Sequence, residues 1–192
     1  MTRTLYALGW GYVALCGVVF VGSRDMATRI RPSHAVPVTF AGDAGTWFSA
    51  MKPFCNAVEV EMQQQYRPAP SGVEGAGYSA ACYALAGKIE RARQTIDRLG
   101  ADDRSAAAGI VFAVGHPVAD AGDDESAGPI MRLVVEYQPE NYMALYHAGM
   151  SEYILGHADL ARANLEKFLS IYHAEDGWRA NARTVLARLD GQ

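Results

Sequence analysis

The chain has 192 residues, half of them hydrophobic and a fifth charged, enough for one well-packed domain with a short appendage and too apolar for disorder over most of its length. Lys and Arg number 17 against 21 Asp and Glu, a formal charge of -4, so there is no basic footprint for nucleic acid and that class of function is excluded. Alanine is abundant and favours helix, and lysine is confined to Lys52, Lys88 and Lys167.

The first element in chain order stands apart. Leu5 to Gly22 is a run of uncharged, mostly apolar residues between Arg3 and Arg24. At about 1.5 Å per residue it reaches roughly 27 Å, the lower edge of a bilayer span. Tyr6, Trp10 and Tyr12 lie toward one end, as interfacial aromatics do. Residues 1–22 are therefore expected to be an uncleaved transmembrane anchor. The rival is a signal peptide cleaved near Val21-Gly22-Ser23, but the positive region is short and the apolar run long. A lipoprotein through Cys16 is disfavoured because Leu15 stands where a small residue is needed. Ala7, Gly11 and Ala14 put small residues on one face of the span, where another membrane helix could pack closely. Arg24, Arg29 and Arg31 outnumber the positive groups before the span, so the positive-inside rule leans the following domain to the cytoplasmic side, against a periplasmic alternative.

Residues 23–46 hold Pro32, Pro37, Gly42 and Gly45 without a sustained period and read as a linker; residues 47–192 read as one helical domain. A first helix is expected over about Ser49 to Tyr66, with Pro53 near its start. Ser71-Gly72-Val73-Glu74 has the form of a capping box opening a helix to Ala86. Gly87 breaks the chain, Lys88 to Leu99 forms a helix, and Gly100 is placed as its C-cap glycine. Cys55 and Cys82 fall on successive helices; they could pair in an oxidising compartment, although two buried thiols in an alanine-rich core is the preferred reading.

Gly87 and Gly156 lie 69 residues apart, and laying one over the other sets GKIERARQTIDRL on GHADLARANLEKF. Gly87, Ala92 and Arg93 then match Gly156, Ala161 and Arg162, while Ala80 and Gly149 coincide seven residues upstream. An offset near twice 34 implies one more unit between them. Over Val73 to Tyr172 the sequence resembles the tetratricopeptide repeat family, most clearly in Asn141 to Tyr172, where Gly149, Tyr153, Leu155, Gly156 and Ala161 follow the motif and Pro139 precedes it. The resemblance implies an all-α protein in which a short right-handed solenoid of helical hairpins follows the transmembrane helix.

In the middle unit, Ser105 to Val114 is assigned as the first helix, Gly115 is matched to Gly87 and Gly156, and Ala127 to Ala92 and Ala161. Gly115 and Ala127 are twelve residues apart where the neighbours have five, so about seven residues are expected to be inserted at this turn. The inserted stretch is GHPVADAGDDES. His116-Pro117 would end one helix, since the residue before proline avoids helical geometry, and Asp123 or Asp124 would cap the next. Asp120 has no evident task. The loop could touch a partner through His116, Asp120, Asp123 and Asp124; as a cation site it lacks the ligand pattern of a calcium loop, and zinc would want more His or Cys. His147 and His157 read as half-buried or capping residues.

By register, the family's groove falls on Met143, Tyr146, Met150 and Tyr153, extended by Phe112 and Tyr78; the alternative is that this stripe is core. The groove offers none of the lysines and asparagines with which family members clamp a terminal carboxylate. A last helix, about Trp178 to Leu189, is expected to seal the stack. No nucleophile–base pair, phosphate loop, metal cluster or cofactor motif supports an enzyme. The resulting expectation is a membrane-anchored scaffold or adaptor for protein partners, with an accessory subunit of a respiratory or photosynthetic membrane complex as a variant. The competing class is a metal-dependent enzyme or sensor centred on His116 to Glu125.

Overall fold

The computed structural model describes residues 42–191. The expected span at 1–22 with Ala7, Gly11, Ala14 and Cys16, and most of the linker, lie outside the described residues. Among the described residues every regular element is helical, and no helix is long and apolar enough to cross a membrane.

Helix α1 (Ala44–Met51) starts at Asp43, whose carboxylate accepts the Thr46 amide at 2.8 Å. The single helix expected over 49–66 does not form. The chain passes from α1 into a 3-10 turn (Lys52–Phe54), and α2 (Val60–Tyr66) begins anew. Pro53 sits in the 3-10 turn, and the Asn56 side chain then accepts the Val58 and Glu59 amides, so the local hydrogen bonds favour a turn over continued helix. Trp47 Nε1 donates to the Arg67 carbonyl at 3.0 Å and clamps the end of α2 to α1.

Six helices follow as three hairpins: α3 (Val73–Leu85) with α4 (Ile89–Asp97), α5 (Ala101–Asp120) with α6 (Asp124–Tyr137), and α7 (Tyr142–Ile154) with α8 (Ala158–Ile171). Each hairpin packs on the next, and α9 (Gly177–Asp190) closes against α8 and α7. Two helix ends differ from expectation. Gly72, at a φ of 99°, stands at the N-cap of α3 with no side-chain bond, so the capping box at Ser71 is not made. Gly100 is the N-cap of α5, at a φ of −59°, rather than the C-cap of α4.

The larger correction concerns the middle unit. Helix α5 runs through His116 and Pro117 to Asp120, and the turn is made at Gly122, not Gly115. Gly87, Gly122 and Gly156 all have φ between 72° and 80°. In each turn the glycine amide bonds three residues back and the following amide five back: Lys88 to Tyr83 at 2.9 Å, Asp123 to Val118 at 3.3 Å, His157 to Glu152 at 2.8 Å. This is the same C-terminal glycine motif three times, at spacings of 35 and 34 residues, with Ala92, Ala127 and Ala161 each five residues on. Nothing is inserted. Gly115 takes the place of Ala80 and Gly149, where neighbouring helices touch: a Cβ on Gly115 would lie 2.6 Å from Ile130 Cγ2, and one on Gly149 2.7 Å from Leu165 Cγ. A proline in the last turn of a helix forfeits one hydrogen bond, and the packing of Val111, Gly115 and Ala119 on α6 outweighs that loss.

Two cores result. One, from α1 to α7, is largely alanine with Trp47, Met51, Ile96, Ile130 and Leu133. The other, under α9, gathers Leu145, Tyr146, Leu165, Phe168, Ala182 and Val185. Cys55 and Cys82 are joined by a disulfide with Cα atoms 4.8 Å apart, so the reading as two buried thiols is replaced: the bond fastens the turn after α1 to α3.

Candidate functional site

Because α5 continues as a helix, His116 and Asp120 lie one turn apart on one face. Helix α7, started by Asn141 accepting the Ala144 amide at 3.0 Å, brings His147 onto them. Asp120 Oδ1 is 3.6 Å from Nε2 of His116 and 3.6 Å from Nε2 of His147, and all three atoms fall within 4.8 Å of one another. These separations are too long for hydrogen bonds. Both Nε2 atoms are buried and neither has a hydrogen-bond partner among the described residues. His147 is 6% exposed, whereas His116 is half-buried and Asp120 open to solvent.

Aromatic rings enclose the pair. Phe112 stacks on His116 at 4.9 Å, the two imidazoles meet edge to face at 4.9 Å, and Tyr146 and Trp178 close the far side of His147 at 5.4 and 5.7 Å. Burial, and next the neighbouring His116, hold the His147 imidazole below its ordinary pKa of 6.5, against the opposing pull of Asp120 and Asp124.

The other members of the acidic stretch are structural. Asp123 caps α6 by accepting the Ser126 amide at 3.2 Å, and Asp124 accepts the Ser151 hydroxyl at 3.1 Å across to α7. The four residues expected to share a loop are thus split between the end of α5, a tight turn and the start of α6.

The proposed groove is divided too. Tyr146 is core: it is 6% exposed, its ring meets Phe168 and Trp178, and its hydroxyl accepts Asn181 Nδ2 at 2.7 Å, because α9 lies over this face of α7. Met150 and Tyr153 pack half-buried against the same cluster, and Met143 is half-buried. Phe112 belongs to the histidine site. Tyr78 stacks on Phe48 at 5.0 Å and opens, with Lys52, Ile110 and Val114, onto a separate groove beside α1.

Two groups that matter here carry no signal in the sequence: His147, expected to be half-buried or capping, and Glu152. Glu152 is fully buried, pairing with Arg132 of α6 and with His157 Nδ1 at 2.6 Å, so it ties the second hairpin to the third and to the last turn. His157 itself is exposed at the N-cap of α8 without a side-chain cap. Helical spacing could have joined His116 to Asp120, but the proline between them reads as a helix end. No periodicity could have joined His147 to either.

Comparison of the chain with family models, with curated proteins and with solved structures finds no match.

Proposed function

We propose that the chain is a scaffold of tetratricopeptide type that holds a protein partner, positioned at a membrane by its N-terminal segment. The observation that supports this reading is the regular series of three hairpins turned at Gly87, Gly122 and Gly156. Repeated hairpins bury one another's apolar faces and leave long ridged surfaces, an architecture used for binding. With Tyr146 withdrawn into the core, the partner's contacts in this reading fall on the half-exposed Met143, Met150, Tyr153 and Phe112, with Tyr78 apart from them on the groove beside α1.

The disulfide favours one face of the membrane. Such bonds persist in oxidising compartments and are rare in the cytosol, so Cys55–Cys82 supports a reading with the repeat domain outside the cytoplasm, against the weak arginine asymmetry around the span. Denatured protein taken directly from cells should present one alkylatable cysteine, Cys16, before reduction and three after. Three reactive thiols without reductant would return the domain to the cytoplasmic side.

The test of function is recovery of the tagged full-length chain from its own membranes in mild detergent, with the co-purifying proteins counted. A fixed-ratio set of membrane proteins is expected, and Phe112→Ala with Tyr153→Ala should reduce it while the helical signal persists. Recovery of the chain alone overturns the reading.

A further inference from the structure

We propose that His116, Asp120 and His147 form a binding site for a divalent late transition metal, zinc by its donor set, which bridges the second and third hairpins. The inference is separate from partner binding and stands on geometry. Two imidazole Nε2 atoms and one carboxylate oxygen converge from two helices, close enough to share one ion yet too far apart to bond one another. Zinc takes His nitrogen at about 2.0–2.1 Å and carboxylate oxygen at about 2.0–2.2 Å, which places neighbouring ligand atoms roughly 3.3 Å apart in a tetrahedron. The Asp120 oxygen lies 3.6 Å from each nitrogen and all three atoms fall within 4.8 Å of one another, so the two rings must close by up to about 1.5 Å to bring the three donors to ligand spacing.

The second observation is the state of the buried groups. A buried ring nitrogen without a partner is unfavourable, and here two such atoms point at one centre. Hydrogen bonding within the cluster does not relieve this cost, since Asp120 reaches neither nitrogen at bonding distance. A cation does so for both at once. Two imidazoles and one carboxylate suit zinc and its neighbours in the first transition row, whereas calcium and magnesium require an oxygen shell.

The repeat itself shows that this position is specialised. Counted from the turn glycines, the places of His116 are held by Ala81 and Met150 in the other hairpins, and those of Asp120 by Leu85 and Ile154. Apolar residues therefore satisfy the helix geometry at both positions, and the polar pair in α5 answers to a different requirement. Three protein ligands leave at least one coordination position, which faces the solvent-open side of Asp120 and is available to water or to a donor from a bound molecule.

The experiment uses the full-length chain in detergent, stripped with chelator and titrated with zinc chloride by calorimetry, alongside Asp120→Asn and His116→Gln. Asp120 is exposed and Asn is nearly isosteric, so the first variant should fold, as circular dichroism and the metal-free melting temperature would verify. One equivalent of zinc is expected in the parent, with affinity at least tenfold weaker in each variant. Cobalt substituted for zinc should give visible absorption bands that both variants abolish. Absence of saturable zinc binding overturns the proposal, as does binding of equal strength in Asp120→Asn, which would assign the metal to another group.

Discussion

The two cores among the described residues are built on opposite terms. Around α3 and α5 the buried residues are chiefly Ala80, Ala81, Ala84, Ala92 and Ala107, with Gly77 so close to α5 that a Cβ would come 2.6 Å from Ile110 Cδ1. Under α9 a few large side chains, Tyr146, Leu165 and Phe168, fill the space. Burial stabilises by about 25 cal/mol per Å² of apolar surface, so an alanine contributes little and a phenylalanine much. The alanine core compensates by bringing backbones close, by covering itself with Trp47, Phe48 and Met51 of α1, and by a covalent bond. The aromatic core needs no crosslink, but its large rings bring polar atoms that must be satisfied, as the Tyr146 hydroxyl is by Asn181. Small residues set the distance between helices; large ones supply the energy.

The comparison can be broken most sharply at Phe168, which is fully buried. Phe168→Ala should cost about 4 kcal/mol in urea unfolding, whereas no single alanine of the first core carries a comparable share. A loss under about 1 kcal/mol would mean that α9 is not held by this ring. Next is the buried carboxylate that joins the second and third hairpins. Arg132→Ala leaves Glu152 with His157 alone and should destabilise by about 3 kcal/mol, the low side of the range for a broken buried pair because one partner remains. The same denaturation curves measure it, and an unchanged midpoint would show that the pair is not maintained in solution.

In the alanine core the corresponding point is the disulfide. Replacing Cys55 and Cys82 together by serine should lower stability by about 3 to 4 kcal/mol, since the bond closes a loop of 27 residues in the unfolded chain. Amide hydrogen exchange should locate the loss in α1 to α3, with α7 to α9 unaffected. The smallest effect sharpens the repeat register. At Gly122 a Cβ would meet nothing within 4 Å, so Gly122→Ala tests backbone conformation alone and should cost about 1 kcal/mol. Gly87→Ala and Gly156→Ala share that conformation and open space and should cost the same; a neutral Gly122→Ala would contradict the assignment of the middle turn.

Much of this was written in the sequence itself. Alanine content favoured helix, and the resemblance to helical-hairpin repeats implied an all-α chain. The paired glycines at 87 and 156, each with an alanine five residues on and a small residue seven before, marked two hairpin turns, because only glycine adopts the left-handed geometry without cost. The last helix was legible within a residue of its limits from its apolar side, while its cap, the Asp176 carboxylate that accepts the Trp178 and Arg179 amides, was not. Tertiary structure decided the rest. Pro117 is a helix breaker by local preference, yet packing on α6 carries α5 one turn past it, and that turn moves Asp120 from a loop onto the face of His116. Tyr146 has the same spacing whether it lines a groove or a core, and only the placement of α9 settles the matter. His147 meets His116 across 31 residues of chain and Asp120 across 27, and Cys55 meets Cys82 across 27. Local sequence specifies backbone conformation and the faces of helices; which faces meet depends on contacts between distant segments, where no period connects one residue to its partner.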